Sequence, residues 1–208
     1  RQEQYGTLRL RLDGRIDRPK VELFFDSPNE ALGIRDMTLY LDPNPQGYLY
    51  RANGQSRLGP FTSNGRILLP KGAPTVIDIA ALNVAGSLAR GSLRADPGGF
   101  TGQLQLAEGP LSGRLDFSPV GGDQRIEVHL AANNLTVAEP TALSVRSGRI
   151  DGTVILAEGR TTLDGVVTAR GLTTGGITLA RLSANATLIN GSGEVGAAMA
   201  GSRGTTFQ

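Results

Sequence analysis

The sequence predicts an all-β chain in which one long, mostly antiparallel sheet folds lengthwise into an open trough, a β-taco, with an apolar interior. Three observations carry the prediction. Apolar and polar residues alternate with a period of two along nearly the whole chain. Turn residues recur at roughly 10- to 15-residue intervals, the spacing of antiparallel strands. Large side chains are scarce: aromatics make up 5% of the 208 residues, and tryptophan is absent. Two packed sheets enclose a layer about 10 Å thick that aromatics normally help to fill, so a β-sandwich is the alternative.

The strands follow in order. Leu8, Leu10 and Leu12 alternate with Arg9 and Arg11, and KVELFF places Val21, Leu23 and Phe25 on one face. Met37, Leu39 and Leu41 alternate with Thr38 and Tyr40. Ala80 to Arg94 has the most helical composition, but Gly86 and Gly91 interrupt it, so it reads as strand. Leu104 and Leu106 alternate with glutamines; Leu115 with Phe117, Ile126 with Val128 and Leu130, and Leu135 with Val137 continue the pattern. Val154, Leu156, Leu163, Val167, Leu182, Ala184, Ala186 and Leu188 extend it to the end. Apart from Leu135 and Val137, these aliphatic and aromatic positions from Leu8 onward are the expected lining of the trough.

Expected turns fall at Asp42-Pro43-Asn44-Pro45, Asn53-Gly54, Asn64-Gly65, Asp96-Pro97-Gly98-Gly99, Gly121-Gly122, Gly175-Gly176 and Asn190-Gly191. One word recurs between them: SGRLDF (112–117), SGRIDG (147–152), Gly14-Arg15-Ile16-Asp17 and Gly65-Arg66-Ile67. It reads as a strand opener, with glycine bending the chain, the aliphatic inward, and Arg and Asp outward as neighbours of opposite charge. About sixteen strands exceed what one open twisted sheet holds without curling, splitting or closing. A membrane barrel would carry aromatic girdles, and six Phe and four Tyr do not supply them.

Little in the chain points to chemistry. Cysteine is absent, which removes disulfides, thiolate zinc sites and a thiol nucleophile. The formal charge is +2 with both signs mixed. Arg9, Arg11, Arg15, Arg18 and Lys20 form the densest basic run, without the aromatic partners of a nucleic-acid surface. GSGEVG (191–196) matches a dinucleotide-binding pattern but has too little chain after it for the required helix and acidic residue. His129, the sole histidine, falls on the polar side of RIEVHL with Glu127. Carboxylates show no metal-ligand spacing, and Asn134, Asn185 and Asn190 head sequons that polar strands produce by chance. No catalytic, metal or cofactor residue is expected, no nucleic-acid partner, and no enzyme. No run of about 18 apolar residues is present to span a bilayer as a helix.

The opening YGTLRLRLDGRIDRPKVEL resembles a phrase of the TamB family (translocation and assembly module TamB) and its AsmA-like relatives, on Gly6, Leu8, Gly14, Ile16 and Pro19. LARLSANATLINGSGEVGAAMAG is similar to the family on Leu182, Ala186, Leu188, Asn190, Gly191 and Gly193. The resemblance implies that residues 1–208 are a single continuous β-rich segment of a longer periplasmic protein. In that family an N-terminal helix anchors the parent in the inner membrane, and TamB meets an outer-membrane barrel of the TamA type. It further implies a hydrophobic groove for phospholipid acyl chains between the two membranes, linked to outer-membrane protein assembly. The rival expectation is an adhesive or structural β-sandwich fragment of a secreted protein.

Overall fold

A computed structural model describes residues 8–26, 34–56, 58–137, 142–201 and 206–207; Gly6 lies outside them. No helix occurs among the described residues, and hence none long and apolar enough to cross a membrane. The strands are β1 (Leu8–Arg15), β2 (Arg18–Phe25), β3 (Arg35–Asn44), β4 (Gly47–Ser56) and β5 (Gly59–Leu68). Next come β6 (Val76–Val84), β7 (Ser87–Asp96), β8 (Gly99–Glu108), β9 (Leu111–Val120) and β10 (Asp123–Val137). The last five are β11 (Leu143–Ala157), β12 (Arg160–Thr174), β13 (Ile177–Ile189), β14 (Ser192–Gly201) and β15 (Thr206–Phe207).

All fifteen form one open antiparallel sheet in which each strand pairs only with its neighbours in sequence. The order is a pure meander, so each strand bonds only to its neighbours in the chain. The described strands make a single sheet and not two, so the sandwich alternative is set aside. A flat single layer leaves both faces in water. Here Ala89 is 1% exposed and Leu111 2%, both on the same face. Among the described residues no second layer covers them; the sheet's own curl does so, as its right-handed twist and bulges require over this many strands.

The curl has a visible fold line. In β10 to β13 the ladder lapses at Asn134, Arg146, Gly171 and Ala180, which lie in one row across four strands. Asn134 and Gly171 adopt left-handed φ angles of 49° and 59°, a conformation that asparagine and glycine tolerate best. At this row the alternation slips: Ala132 is inward, two residues turn out, and Leu135 is inward again. Val145 and Gly148, Ala169 and Leu172, and Leu179 and Leu182 repeat the three-residue step. The short flap beyond the crease, with Leu135, Val137, Val145, Leu172 and Leu179, folds inward and is buried with Ala89, Leu106 and Leu111. A second irregularity, between Ile79 and Leu82 of β6, opens the same three-residue step in the first half.

Several turn assignments need correction. Asn53-Gly54 and Asn64-Gly65 lie inside β4 and β5. A Cβ on Gly65 would sit 2.0 Å from the backbone oxygen of Asp78, and one on Gly54 2.9 Å from the Phe61 ring; these glycines admit close neighbours and do not reverse the chain. Asp42 to Asn44 continue β3, and the turn comes at Pro45-Gln46. The repeated word is not a strand opener either. Gly65, Gly113 and Gly148 are interior to their strands, while Ile16 sits in the β1–β2 turn and is fully exposed. The expected turns at Gly98, Gly121-Gly122, Gly175-Gly176 and Asn190-Gly191 are present, and Ala80 to Arg94 is strand on either side of a turn.

Candidate functional site

The inward face can be followed strand by strand from the register. Leu8, Leu10 and Leu12 stand across from Phe25, Leu23 and Val21, which face Met37, Leu39 and Leu41. Leu39 and Leu41 face Ala52 and Tyr50. Further along, Leu106 lies between Ala89 and Gly113, and Leu104, Leu115 and Val128 form one cross-strand row. Phe117, Ile126, Val154, Leu163 and Leu188 form the next. Leu130, Ile150, Val167 and Ala184 make a third. Leu156 is opposite Gln124 and Thr161, Ala186 opposite Gly165, and Leu182 opposite Ala169. Every residue expected to line the trough therefore lies on one side of the sheet.

Sequence reasoning missed the lining in the middle of the chain. Tyr50, Ile79, Leu93 and Leu104 form one buried cluster, with Ile67, Ile77 and Phe100 against it. The signal there was blurred because VIDIAAL carries apolar residues on both parities across the β6 irregularity. The buried polar groups on this face are paired. Tyr50 Oη lies 3.1 Å from Ser63 Oγ, and burial, partly offset by that bond, pushes the phenol's pKa up. The buried Ser87 Oγ accepts the Leu111 amide at 2.8 Å. Gln124 spans the rim, accepting from the Phe100 amide at 2.6 Å and donating to its carbonyl at 3.1 Å.

Exposure of the inward face is graded. It is lowest along the β7–β9 centre and the folded flap, intermediate at Ile150 (38%) and Leu163 (37%), and highest towards both ends of the sheet, at Leu8, Leu10 and Leu12 and at Val195, which stands across from Ala186. The apolar surface is closed at the crease and open along the opposite rim and towards both the β1 and the β14 ends of the sheet. Fifteen strands spaced about 4.8 Å apart give this surface a path of roughly 70 Å across the sheet.

The outward face is an ionic ladder. Arg114 pairs with Asp116 at 2.8 Å, Arg125 with Glu127 at 2.7 Å, and Arg149 with Asp151 at 2.5 Å. Arg66 reaches Asp78 at 2.5 Å and Arg90 reaches Glu108 at 3.1 Å. In GRLD and GRID the Arg and Asp two residues apart thus bind each other outward, as their pattern suggested. Such exposed pairs each contribute little, about 0–1 kcal/mol.

The register also gathers what linear spacing did not show. Asp116, Glu127 and His129 bring ligand atoms within 4.8 Å of one another, and His129 Nδ1 lies 3.0 Å from Asp151 Oδ1. Both carboxylates of that trio are held by arginine, whose charge opposes a cation; the cluster reads as part of the ladder.

Arg149 first, and His129 second, hold the Asp151 carboxyl below its ordinary range. Hydrogen bonds from Thr101 and then Arg94 do the same for Asp96. A carboxylate with a lowered folded-state pKa stabilises the fold above the unfolded value, about 4, and that contribution is lost as pH falls through the lowered value. Melting temperature should therefore decline in acid below about pH 4, and Asp151→Asn should decline less steeply over that window. Thermal melts across an acid series check this; equal slopes would remove Asp151 from the account.

Against this geometry, no protein-family model, no curated protein and no solved structure matches the chain.

Proposed function

We propose that this chain is a segment of a TamB/AsmA-like periplasmic protein, and that its inward face conducts phospholipid acyl chains between the inner and outer membranes. The observation that carries the reading is the continuous apolar band, running from β1 to β14 with one long rim open. Each buried methylene contributes about 0.8 kcal/mol without directional demand, so an acyl chain is sheltered anywhere along the band and held tightly nowhere. Headgroups would stay in water at the open rim. The parent protein would be anchored in the inner membrane, would meet a TamA-type barrel, and would serve outer-membrane assembly as a conduit and not as an enzyme.

The test places photo-crosslinking amino acids at Ile150 and Leu163, inward and accessible, and at Val166, which is 49% exposed on the outward face. In cells expressing the parent protein, phospholipid adducts should form at the first two positions and not at Val166. Equal labelling at Val166, or none at Ile150 and Leu163, would overturn the conduit.

A further inference from the structure

The crease that folds the flap inward has a consequence on the opposite side of the sheet. Where the alternation slips, two consecutive residues in each strand turn outward, and several of these are arginines. Arg170 of β12 stands directly across from Arg181 of β13. Like charges in that relation repel. Arg146, on the crease row itself, lies over Gly171: a Cβ there would meet Arg146 Cβ at 3.0 Å and its Nε at 3.4 Å. The glycine leaves room for the guanidinium. Among the described residues Arg149 has an acidic partner, Asp151, while Arg146, Arg170 and Arg181 form no ion pair.

A depression of about 680 Å³ lies here, within the size range of ligand sites. Arg149, Thr168 and Ser183 flank it on one side and Ser147, Arg170 and Arg181 on the other. Both rows are exposed and point outward, and Gly148, Ala169, Leu182 and Met199 of the inward-facing row lie between them. The inward residues on either side of these rows, Ile150 and Val167 or Val145 and Leu172, take no part in it. The polar side chains of the depression therefore stand on the outward face, across the sheet from the apolar band.

We infer that this outward groove is a binding site for a phosphate-bearing anion, held between Arg170 and Arg181 with Arg149 and the flanking hydroxyls as further donors. Guanidinium groups present forked donors that match phosphate oxygens, and serine and threonine hydroxyls complete the donor set. A bound anion would also relieve the Arg170–Arg181 repulsion, which no described carboxylate neutralises. The inference does not rest on the conduit reading, since it concerns the other face.

Pyrophosphate and vesicles of phosphatidylglycerol or phosphatidylcholine are the probes, used with the 208-residue chain. Millimolar pyrophosphate should raise the melting temperature beyond chloride at equal ionic strength. Arg170→Gln/Arg181→Gln should lose that increment. Arg90→Gln/Arg160→Gln, which removes the same charge elsewhere on the outward face, should keep it. The first double variant relieves a repulsion, so its unliganded melting temperature should not fall, and far-UV circular dichroism checks its fold. Sedimentation with phosphatidylglycerol but not phosphatidylcholine vesicles, competed by pyrophosphate, would identify a lipid headgroup as the source. Pyrophosphate binding without vesicle binding would identify a soluble phosphate ester, and both results support the site. No increment in the wild type, or an equal one in Arg170→Gln/Arg181→Gln, overturns it.

Discussion

Replacing Leu106 by arginine should cost several kcal/mol and move the urea unfolding midpoint sharply down. Leu106 is 4% exposed and packs in the cluster that the folded flap closes. An arginine there must either bury an unpaired charge, at about 3–5 kcal/mol, or force the flap open. Either loss is a large share of a typical total stability of about 5–15 kcal/mol. Were the trough open at this point, the new side chain would reach water and the cost would be modest; the burial of Leu106 decides against that. Urea unfolding of Leu106→Arg measures it, and a loss under about 1 kcal/mol would mean the flap does not close over β8. The outward control is Gln103→Arg, because Gln103 already donates to Asp116 at 2.8 Å and an arginine can take over that carboxylate. Gln105 is a poorer control. It sits between Arg90 and Arg114, where a third arginine adds like-charge repulsion of about 0.2–1 kcal/mol.

The same burial explains why a charge at Leu106 cannot test lipid passage, whereas a probe at Ile150 or Leu163 can. Leu106 belongs to the closed bottom of the trough, and its substitution reports on folding. Ile150 and Leu163 belong to the accessible flank, and a probe there reports on what slides past.

The fold was legible because period two encodes it directly: wherever Leu-x-Leu or Ile-x-Val-x-Leu occurred, a strand formed with those side chains inward. The crease was legible too, in the step from Ala132 to Leu135 and its counterparts in the next three strands. A period-two reading passes over it, because one three-residue step in a strand looks like noise until four strands show it in register. The pairing of Asp116 with Glu127 and of His129 with Asp151 could not be read at all, since it depends on which strands become neighbours. The glycines misled most. Asn-Gly commonly marks a hairpin turn, yet at Asn53-Gly54 and Asn64-Gly65 the glycine serves close approach between strands. Sequence does not separate the two uses, because both ask only for a missing Cβ.

That ambiguity makes the repeated word a test of its own. Gly113→Ala should destabilise the chain by about 2 kcal/mol or more, whereas Gly148→Ala should cost about 1 kcal/mol or less. The two glycines head nearly identical hexamers, SGRLDF and SGRIDG, and both lie on the inward face of a strand. Their surroundings differ. Gly113 has φ +127°, and a Cβ there would lie 2.0 Å from the His129 carbonyl oxygen and 3.0 Å from the Leu130 Cα, both backbone atoms of β10. Backbone cannot step aside without breaking the ladder, so alanine meets both an unfavourable φ and a collision. Gly148 has no such φ, and its nearest atom would be the Thr168 carbonyl oxygen at 3.1 Å. A shift of a few tenths of an ångström accommodates that methyl group. Alanine also restricts the unfolded chain, which returns roughly 0.4–1 kcal/mol and can offset most of the crowding. Chemical denaturation of the two single variants decides the matter. Equal losses would show that the word imposes one backbone conformation wherever it occurs; the expected gap of a kcal/mol or more shows that the partner strand sets the glycine's role.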